Sequence, residues 1–531
     1  MARQRYRGRK SVLSAETGTI AKSGAQKRVC LVFPNKYSTA IANLGFQTIY
    51  RELNSRADTS CERGFLDPVL GFKSLESGTP FGRFDILAFS ISFELDFLGL
   101  GRVLAESGVP LLSRDRDSSH PLVVLGGVCA TSNPEPLADF VDIVVVGEGE
   151  HSAHRLIDEV LRYNRRQRNG LLRDLATVPG FYVPRYVRPA YRSDGTIEKV
   201  ERDIPYGERP SYDEPSNPAF SPIVTRFSEF PSTFLVETSR GCAQSCRFCL
   251  ASRLYPYRIW PASRVRKIVE THCPDGATVG LVGAAVSDHP EIDAIVASLV
   301  DREKKLSVAS LRVDSTSETF LRALAASGQR TVTFAPEVGS DRLGKAVGKN
   351  VPQEVLLEKT DVALKAGLRN IRLYFMIGLP SERDEDAVAI AELSRKVLNL
   401  IAKQTKGRGR LSLSINPFVP KPLTAFERTP MQRARTLERR LSTIKSALYA
   451  YPQIRVRHES IRLAVLQGLL ARGDREVGQL IALMGCEGMS YKQALRRAKI
   501  DPDFYLHRTR GRAEIMPWQL CRERVGPTSH S

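Results

Sequence analysis

The sequence lacks any uninterrupted apolar run of about 18 residues, which is the length that a transmembrane helix requires. Its first ten residues, MARQRYRGRK, are basic, but no apolar stretch follows them as it would in a secretory signal. We therefore expect no membrane span and a cytoplasmic location. Hydrophobic residues make up 42% of the chain and charged residues 26%, which excludes a disordered protein, a collagen and a coiled-coil rod.

Cysteine is also scarce, with nine residues among 531, and in a chain without a signal peptide we expect no disulfides. Three of the cysteines fall close together, at positions 242, 246 and 249. The others are isolated in the sequence: Cys30, Cys61, Cys129, Cys273, Cys486 and Cys521. This uneven spacing is the most informative feature of the composition.

Acidic residues are outnumbered, because 78 Lys and Arg residues face 58 Asp and Glu residues and give a net charge of +20. Such a charge attracts polyanions, so RNA or a ribonucleoprotein is one candidate partner. The alternative is that the charge serves solubility and a basic tail. The sequence contains no recognised nucleic-acid-binding motif that would decide between the two interpretations.

The pattern along the chain predicts two α/β domains. Residues 1–28 are basic and lack apolar periodicity, which indicates a flexible tail. In residues 29–165, short apolar runs alternate with helical stretches and end in Gly-rich turns, which predicts a doubly wound parallel sheet. Residues 166–230 are rich in Arg, Pro, Tyr and Ser, and we interpret them as a connecting segment that contains a hairpin.

Residues 231–450 contain a second alternating series. Six strand–helix units follow one another there, and right-handed crossovers arrange such units into a parallel sheet that curls into a partial (β/α)6 barrel of the TIM type. Active groups are then expected at the carboxyl ends of the strands. Residues 451–531 have helical periodicity and predict a small α-rich segment.

The closely spaced cysteines lie in ETSRGCAQSCRFC, directly after the first strand of the second series. Thiolates are soft ligands that suit zinc or an iron–sulfur cluster. A structural zinc site needs a fourth ligand nearby, but His272 and Cys273 end a predicted helix on the opposite side of the barrel. A 4Fe-4S cluster held by three thiolates instead leaves one iron open for another ligand.

The spacing CxxxCxxC, with Phe248 before the third cysteine, resembles that of the radical S-adenosylmethionine (radical SAM) superfamily. The resemblance implies that Cys242, Cys246 and Cys249 bind the cluster and that the open iron chelates SAM. It also implies that reductive cleavage of SAM yields methionine and a 5′-deoxyadenosyl radical. An electron donor such as flavodoxin or ferredoxin is then a partner. A structural zinc site is the alternative.

Three further segments, SLRVDS, APEVGSDRLGKAVGKN and YFMIGLPSERDED, resemble SAM-contacting segments of that superfamily. The resemblance implies contacts to SAM from residues after the third strand, after the fourth and at the end of the fifth. These residues are Ser310 and Arg312, then Glu337, Gly339 and Ser340, and finally Ile377 and Gly378.

One segment departs from the superfamily pattern. The usual Gly-Gly-Glu after the second strand is replaced by VGAAVSDHP, so Gly283 and its neighbours are the candidates for main-chain contacts to the SAM amino group. His289 in this segment is a candidate proton donor, although a lone His before a Pro is more often a loop residue. Glu337 is similarly open to interpretation as a residue of the fold rather than a SAM ligand.

Residues 29–165 resemble the cobalamin-binding Rossmann domain that precedes many radical SAM barrels. LGGVCATSNPE and GEGE carry this resemblance, which implies contacts to a corrin from Gly126 and Gly127 and from Gly147, Glu148 and Gly149. The loop that supplies a histidine to cobalt in that family corresponds to CERGFLDPVLGF, which has no His. Either cobalamin binds without that ligand, or the domain has kept only the fold.

Three functions therefore stay open. The first is a radical SAM enzyme that transfers a methyl group to an unactivated carbon through cobalamin. The second is a methylthiotransferase-like enzyme acting on RNA or a ribosomal protein, with an auxiliary cluster on Cys30, Cys61 and Cys129. The Pro-Lys-Pro stretch at Lys421 also occurs in that class, although a solvated Lys on a stiff turn explains it too. The third is a cluster-bearing binding protein without catalysis.

Overall fold

The computed structural model describes residues 6–205, 210–212 and 215–522. The chain divides into two compact units. The first unit comprises Met1–Ser232, Leu469–Tyr505 and Arg510–Ser531, and the second comprises Thr233–Gly468 and Leu506–Thr509. In the described residues, no helix combines the length and the apolar character needed to span a bilayer.

The first unit is built on a parallel sheet with the strand order β3-β2-β4-β5-β6-β7, in which only the edge strand β7 is antiparallel to its neighbour. Two short pairs, β1 with β10 and β8 with β9, accompany this sheet. The described strands are β1 (Glu16–Thr17), β2 (Lys27–Phe33), β3 (Thr59–Phe65), β4 (Ile86–Ser90), β5 (Leu122–Gly126), β6 (Ile143–Val145), β7 (Phe181–Tyr182), β8 (Val187–Tyr191), β9 (Ile197–Arg202) and β10 (Val224–Thr225).

Helices separate these strands, as the sequence pattern predicts. They are α1 (Arg9–Leu13), α2 (Tyr37–Ala40), α3 (Leu44–Ser55), α4 (Phe97–Glu106), α5 (Val128–Ser132), α6 (Gly149–Arg162) and α7 (Arg168–Leu175). The central strands β2 and β5 are mostly apolar and buried because both faces of the sheet are covered. This arrangement confirms the predicted doubly wound parallel sheet.

The N-terminal segment differs from the predicted flexible tail. Arg9–Leu13 form α1 and Glu16–Thr17 form β1, and the side chain of Glu16 is fully buried. Its carboxylate lies 2.7 Å from Nη2 of Arg63, whose Nε lies 2.6 Å from Oε1 of Glu76. A buried arginine needs such carboxylate partners, so this network holds the segment onto β3. The composition of residues 1–28 alone does not reveal a partner that lies this far along the chain.

The second unit is a partial barrel. Parallel strands β11, β14 and β15 form one sheet, and β16, β17, β18 and β19 form another. A parallel bridge between Leu311 and Phe334 joins them. The described strands are β11 (Thr233–Glu237), β12 (Ser239–Arg240), β13 (Arg258–Ile259), β14 (Thr278–Val282), β15 (Leu306–Ser307), β16 (Thr331–Glu337), β17 (Asn370–Ile377), β18 (Leu411–Pro417) and β19 (Ile454–His458).

The helices of this barrel are α8 (Ala251–Leu254), α9 (Ala262–His272), α10 (Ile292–Val300), α11 (Glu318–Ala326), α12 (Asp341–Ala346), α13 (Gln353–Lys365), α14 (Asp384–Thr405) and α15 (Ala434–Leu448). The next helix, α16 (Ile461–Arg472), begins in the second unit and ends among residues assigned to the first. Six predicted strand–helix units are therefore present, which confirms the partial (β/α)6 barrel.

The final strand was not predicted. β19 pairs in parallel with β18 and extends the barrel sheet beyond the sixth strand–helix unit. It falls in the segment predicted to be α-rich, and the helices that follow α16 are α17 (Gly478–Ile481), α18 (Tyr491–Ala498) and α19 (Pro502–Leu506). A five-residue strand with only two apolar side chains is too weak a pattern to separate from the helices around it.

Candidate functional site

The three closely spaced cysteines lie on the loop between β12 and α8, at the carboxyl end of the first barrel strand. All three thiols are partly buried. The Sγ atom of Cys242 accepts a hydrogen bond from the N–H of Gln244 (3.4 Å), and that of Cys249 accepts one from the N–H of Ala251 (3.4 Å). The N–H of Cys249 donates to the carbonyl of Cys246 (3.2 Å), so the loop folds back on itself.

The thiols share one electrostatic environment. Burial raises the pKa of Cys246 and of Cys249, and the neighbouring Cys242 raises both further. The positive charges of Lys349 and Arg312 lower the pKa of Cys246 and so oppose the effect of burial. In the described part of the chain, no group of three His, Cys, Asp or Glu side chains has metal-ligating geometry. The loop carries the soft donors that an iron–sulfur cluster requires.

The turn that follows α12 holds the cysteine loop in place. The N–H of Arg247 donates to the carbonyl of Val347 (3.0 Å), and its guanidinium donates to the carbonyl of Ala346 (3.1 Å). The same guanidinium stacks on the ring of Phe426 at 4.9 Å. These contacts fix the loop to the end of the barrel where strands β16 and β18 finish.

Phe248 has a packing role. Its ring lies against an apolar cluster that gathers residues from the ends of three strands and from α12. The buried members are Val338, Leu343, Val347, Leu379, Phe418 and Phe426, and Ala346 and Met376 are partly buried beside them. Partial burial of this aromatic side chain seats the cysteine loop over the strand ends, whereas a cofactor contact of Phe248 stays a prediction.

Arg312 lies close to the cysteine loop. Its Nη2 atom is 2.7 Å from a carboxylate oxygen of Asp314, and its Nε atom is 4.0 Å from one of Asp288. Asp288 also accepts a hydrogen bond from Gln244 of the cysteine loop (2.8 Å). Ser310, the other predicted residue of this segment, is partly buried. The structure thus brings Arg312 together with the cysteines.

In the segment that follows β14, Gly283 packs closely against its neighbours, and His289 is not free to act as a proton donor. A Cβ atom on Gly283 would lie 2.7 Å from the hydroxyl of Ser239, just before the cysteine loop. His289 is 2% exposed, with Nδ1 accepting from the N–H of Glu291 (3.0 Å) and Nε2 lying 2.8 Å from the carbonyl of Trp260. Both ring nitrogens of His289 are occupied, which is the pattern of a structural histidine.

The barrel strand β16 ends in an irregular turn at Glu337. This residue has a φ of 69°, and its carboxylate lies 2.9 Å from Nζ of Lys349. A Cβ atom on Gly339 would lie 2.3 Å from the backbone nitrogen of Ile390, so Gly339 permits close packing against α14. Ser340 caps α12 and donates to Asp386. Of these predicted residues, only Glu337 is brought to the thiols.

The barrel strand β17 ends at the buried residue Ile377. Gly378, which follows it, has a φ of 90°. The N–H groups of Gly378 and Leu379 both donate to the carboxylate of Glu382. Arg440 of α15 also donates to that carboxylate (2.9 Å). Burial raises the pKa of Glu382 to about 7 against the charge of Arg440.

Sequence reasoning missed Lys349, Glu382 and Arg440. Glu382 follows Gly378 by four residues, and that spacing was the one available signal. Lys421, which the sequence singled out, is partly buried, and its carbonyl accepts a hydrogen bond from Thr424 (2.8 Å).

The glycines predicted to approach a corrin serve close contacts within the first unit. A Cβ atom added to Gly127 would lie 2.5 Å from the carbonyl oxygen of Ile91. A Cβ atom added to Gly147 would lie 2.0 Å from the carbonyl oxygen of Ser211. On Gly149 it would lie 2.7 Å from the Ile49 side chain, whereas on Gly126 the nearest atom is 4.0 Å away.

Glu148 is buried, and its N–H donates to the carbonyl of Ser211 (3.0 Å). The chain itself fills the space beside most of these residues. They therefore do not fit an open corrin cradle.

The isolated cysteines of the first unit are core residues. Cys30 on β2 and Cys61 on β3 are 0% and 2% exposed, and burial raises the pKa of both thiols. Cys129 on α5 is 2% exposed. Buried thiols on three separate elements favour packing over cluster binding.

Two family models match the chain. One, described as the radical SAM superfamily, matches residues 236–394, and the other, described as radical SAM proteins, N-terminal, matches residues 45–184. An uncharacterised protein of Methanocaldococcus jannaschii is 27% identical over 458 residues, which cover 86% of this chain and 90% of that protein. An uncharacterised methyltransferase of Pyrococcus horikoshii is 26% identical over 292 residues, which cover 53% and 59% respectively.

Among solved structures, the cobalamin-dependent S-adenosylmethionine radical enzyme OxsB with aqua-cobalamin bound has a TM-score of 0.45 and 17% identity, with 69% of this chain and 52% of that chain covered. The FeFe-hydrogenase maturase HydG from Carboxydothermus hydrogenoformans has a TM-score of 0.28 and 15% identity, with 44% and 56% covered. The chain spans about half the length of these solved structures.

Proposed function

The chain belongs to the radical SAM superfamily of enzymes, which confirms the resemblance, and we propose that it cleaves SAM reductively at the cysteine loop. Such a reaction takes one electron from an external reductant and breaks the C5′–S bond of SAM. The products are methionine and a 5′-deoxyadenosyl radical. A bound 4Fe-4S cluster supplies the electron and one open iron for SAM.

The observation that carries this proposal is the placement of three partly buried thiols on one loop over the barrel strand ends. We assign the cluster to Cys242, Cys246 and Cys249. Arg312 supplies a guanidinium that suits the methionine carboxylate of SAM. Ile377 and Gly378 are the residues that we propose lie against the adenine, where glycine permits a close approach of the backbone.

Anaerobic reconstitution with iron and sulfide tests the proposal. We expect about four irons per chain and, with dithionite and SAM, formation of 5′-deoxyadenosine measured by chromatography. Cys246→Ser should lose both the iron and the product. Cys273→Ser is the matched control, because this thiol is also partly buried but follows α9. A chain that cleaves no SAM despite full iron loading contradicts the proposal.

Methyl transfer is the second candidate reaction. It is supported by the relative from Pyrococcus horikoshii that is named a methyltransferase. The filled spaces at Gly127 and Gly147 argue against a corrin in the first unit and therefore against a cobalamin step. Reconstitution with added cobalamin separates the possibilities, since stoichiometric corrinoid supports cobalamin-dependent transfer. About eight irons per chain would instead support a methylthiotransferase with an auxiliary cluster.

A further inference from the structure

The inner face of the barrel is polar along its last three strands. On β17 and β18 the side chains alternate, and the apolar residues of one face, such as Leu373 and Leu413, are 0–1% exposed. Helices α14 and α15 pack against β17, and α14 also packs against β18. The alternate residues, which are partly buried, lie on the opposite face. They are Arg372, Tyr374 and Met376 on β17, and Ser412, Ser414 and Asn416 on β18.

The register of β19 places two more arginines on this inner face. Arg455 pairs with Ser412, and Arg457 pairs with Ser414. His458 pairs with Ile415 on the helix side, where its Nε2 atom lies 3.0 Å from Nζ of Lys445 on α15. Because strand residues alternate between faces, Arg457 points away from α15.

Three arginines therefore lie on the inner face of the sheet in adjacent rows, with Arg372 partly buried and Arg455 and Arg457 exposed on the edge strand. Arg372 pairs with Ser412, which pairs in turn with Arg455, so one row crosses three strands. Arg457 belongs to the next row, which also holds Tyr374 and Ser414. Neighbouring strands are about 4.8 Å apart, so the long guanidinium arms from β17 and β19 can reach a common ligand above Ser412.

None of these arginines has a partner in the described residues. Neither a hydrogen bond nor an ion pair engages the guanidinium of Arg372, Arg455 or Arg457 there. The side-chain oxygen of Asn416 is also buried without a hydrogen-bond partner among the described residues. The interiors of (β/α) barrels are usually filled by branched apolar side chains, so the unpartnered polar groups of the partly buried Arg372 and Asn416 call for a ligand.

Protection of a sheet edge does not explain the whole set. Charged residues on an edge strand prevent unwanted strand pairing, and this accounts for Arg455 and Arg457. Arg372 lies two strands further in, on β17, and is partly buried. Burying part of a charge without a partner is costly, and no edge requires it there.

The distance from the cysteine loop sets the size of the ligand. Met376 on the inner face belongs to the apolar cluster that contacts Phe248. Tyr374 and Arg372 precede it by two and four residues on the same strand, about 7 and 13 Å away. A molecule that reaches from the thiols to the arginines is therefore about the length of a nucleotide.

From this placement we propose that the substrate carries an oxyanionic group, a phosphate or a carboxylate, bound by Arg372, Arg455 and Arg457. Guanidinium groups bind both oxyanions through paired hydrogen bonds. The reacting part of the substrate then lies near Asn416 and Met376, towards the cysteine loop. This inference rests on the proposed function, because it takes the barrel interior to be the substrate site.

Titration calorimetry on the reconstituted enzyme tests the inference with inorganic pyrophosphate and citrate as probes. We expect at least one probe to bind, and Arg455→Gln/Arg457→Gln to weaken that binding by about tenfold or more, as the loss of a charge-assisted hydrogen bond implies. Arg372→Lys keeps the positive charge but loses the paired N–H donors of the guanidinium, so it should also weaken binding of the probe. Binding of pyrophosphate alone indicates a phosphate, and binding of citrate alone indicates a carboxylate.

The matched control is Arg302→Gln/Arg322→Gln, which removes the same charge from exposed arginines that pair with Glu270 and Glu318. It should bind the probe as the wild type does. Equal binding by Arg455→Gln/Arg457→Gln and the wild type, or no binding of either probe at millimolar concentration, overturns the inference. SAM cleavage by the wild type is measured separately, so that cleavage without anion binding rejects only this inference.

Discussion

The ammonium group of Lys349 lies 2.9 Å from the carboxylate of Glu337, and only 10% and 17% of the two side chains are exposed. Glu337 ends β16 in the left-handed region, where the pairing with β17 becomes irregular. Lys349 ends the turn that holds the cysteine loop. The charge of Lys349 lowers the pKa of the Cys246 thiol, and the charge of Glu337 raises it. The ion pair thus links the end of β16 to the turn that contacts the cysteine loop.

Lys349→Met is predicted to destabilise the barrel by about 2 kcal/mol, because it leaves the carboxylate of Glu337 mostly buried and unpaired. Urea denaturation measures the change. The double variant Glu337→Gln/Lys349→Met should cost less than the sum of the two single variants, since removing both charges leaves neither unpaired. Strictly additive costs would show that the two side chains do not depend on each other.

Local patterns revealed most of the fold. The six strand–helix units and the cysteine loop are visible in the sequence because each depends on neighbouring residues. The missing features depend on distant partners: Glu16 pairs with Arg63 from 47 residues away, and Glu382 pairs with Arg440 from 58 residues away. β19 was missed because its pairing with β18, rather than its own composition, makes it a strand.

The glycines of the first unit show the limit of reasoning from a motif. GEGE and LGGVC indicate positions where only glycine fits, and the structure agrees at Gly127 and Gly147. The sequence does not tell what approaches those positions. In the structure it is the backbone of Ile91 and of Ser211 rather than open space.

Substitutions at Gly147 and Gly126 separate a packing role from a ligand-binding role. Gly147→Ala places a methyl group 2.0 Å from the Ser211 carbonyl at a φ of 110°, so we expect a destabilisation of about 2 kcal/mol or more in thermal melting. Gly126→Ala has room and should change the melting temperature little. A large loss of added corrinoid in Gly126→Ala without a change in melting would contradict the packing interpretation.

The pair formed by Glu382 and Arg440 gives a pH-dependent prediction. Because burial raises the pKa of Glu382 to about 7, the carboxylate is mostly protonated at pH 6 and mostly ionised at pH 8.5. The ionic attraction to Arg440 is present only in the ionised form. Arg440→Met should therefore lower the melting temperature more at pH 8.5 than at pH 6.

Arg439→Met is the control for this comparison. Arg439 is the adjacent residue on α15, but it is exposed and pairs with exposed Asp384. Its replacement should have a small effect at both pH values, as surface ion pairs contribute little. An effect of Arg440→Met that is equal at the two pH values would mean that Glu382 does not titrate in this range.

Asp96 of the first unit provides the last prediction. Burial raises the pKa of its carboxyl to about 6 against a hydrogen bond from Asn35, and Glu94 raises it further. In the unfolded chain an ordinary Asp titrates near 3.9, so between about pH 4 and pH 6 the folded state holds a proton that the unfolded state has lost. The stability of the wild type therefore falls as pH rises through this window and is constant above it.

Asp96→Asn removes this titration and keeps an oxygen that accepts from Asn35. At pH 4 the variant and the wild type should be equally stable. At pH 7.5 the variant should be more stable by up to about 3 kcal/mol, the equivalent of the pKa shift. Asp58→Asn should behave in the opposite way, because the hydrogen bond from Arg56 lowers the pKa of Asp58 to about 2 and stabilises the charged form. Urea denaturation at the two pH values checks both variants, and a stability difference for Asp96→Asn that does not grow with pH would show that this carboxyl is ionised throughout.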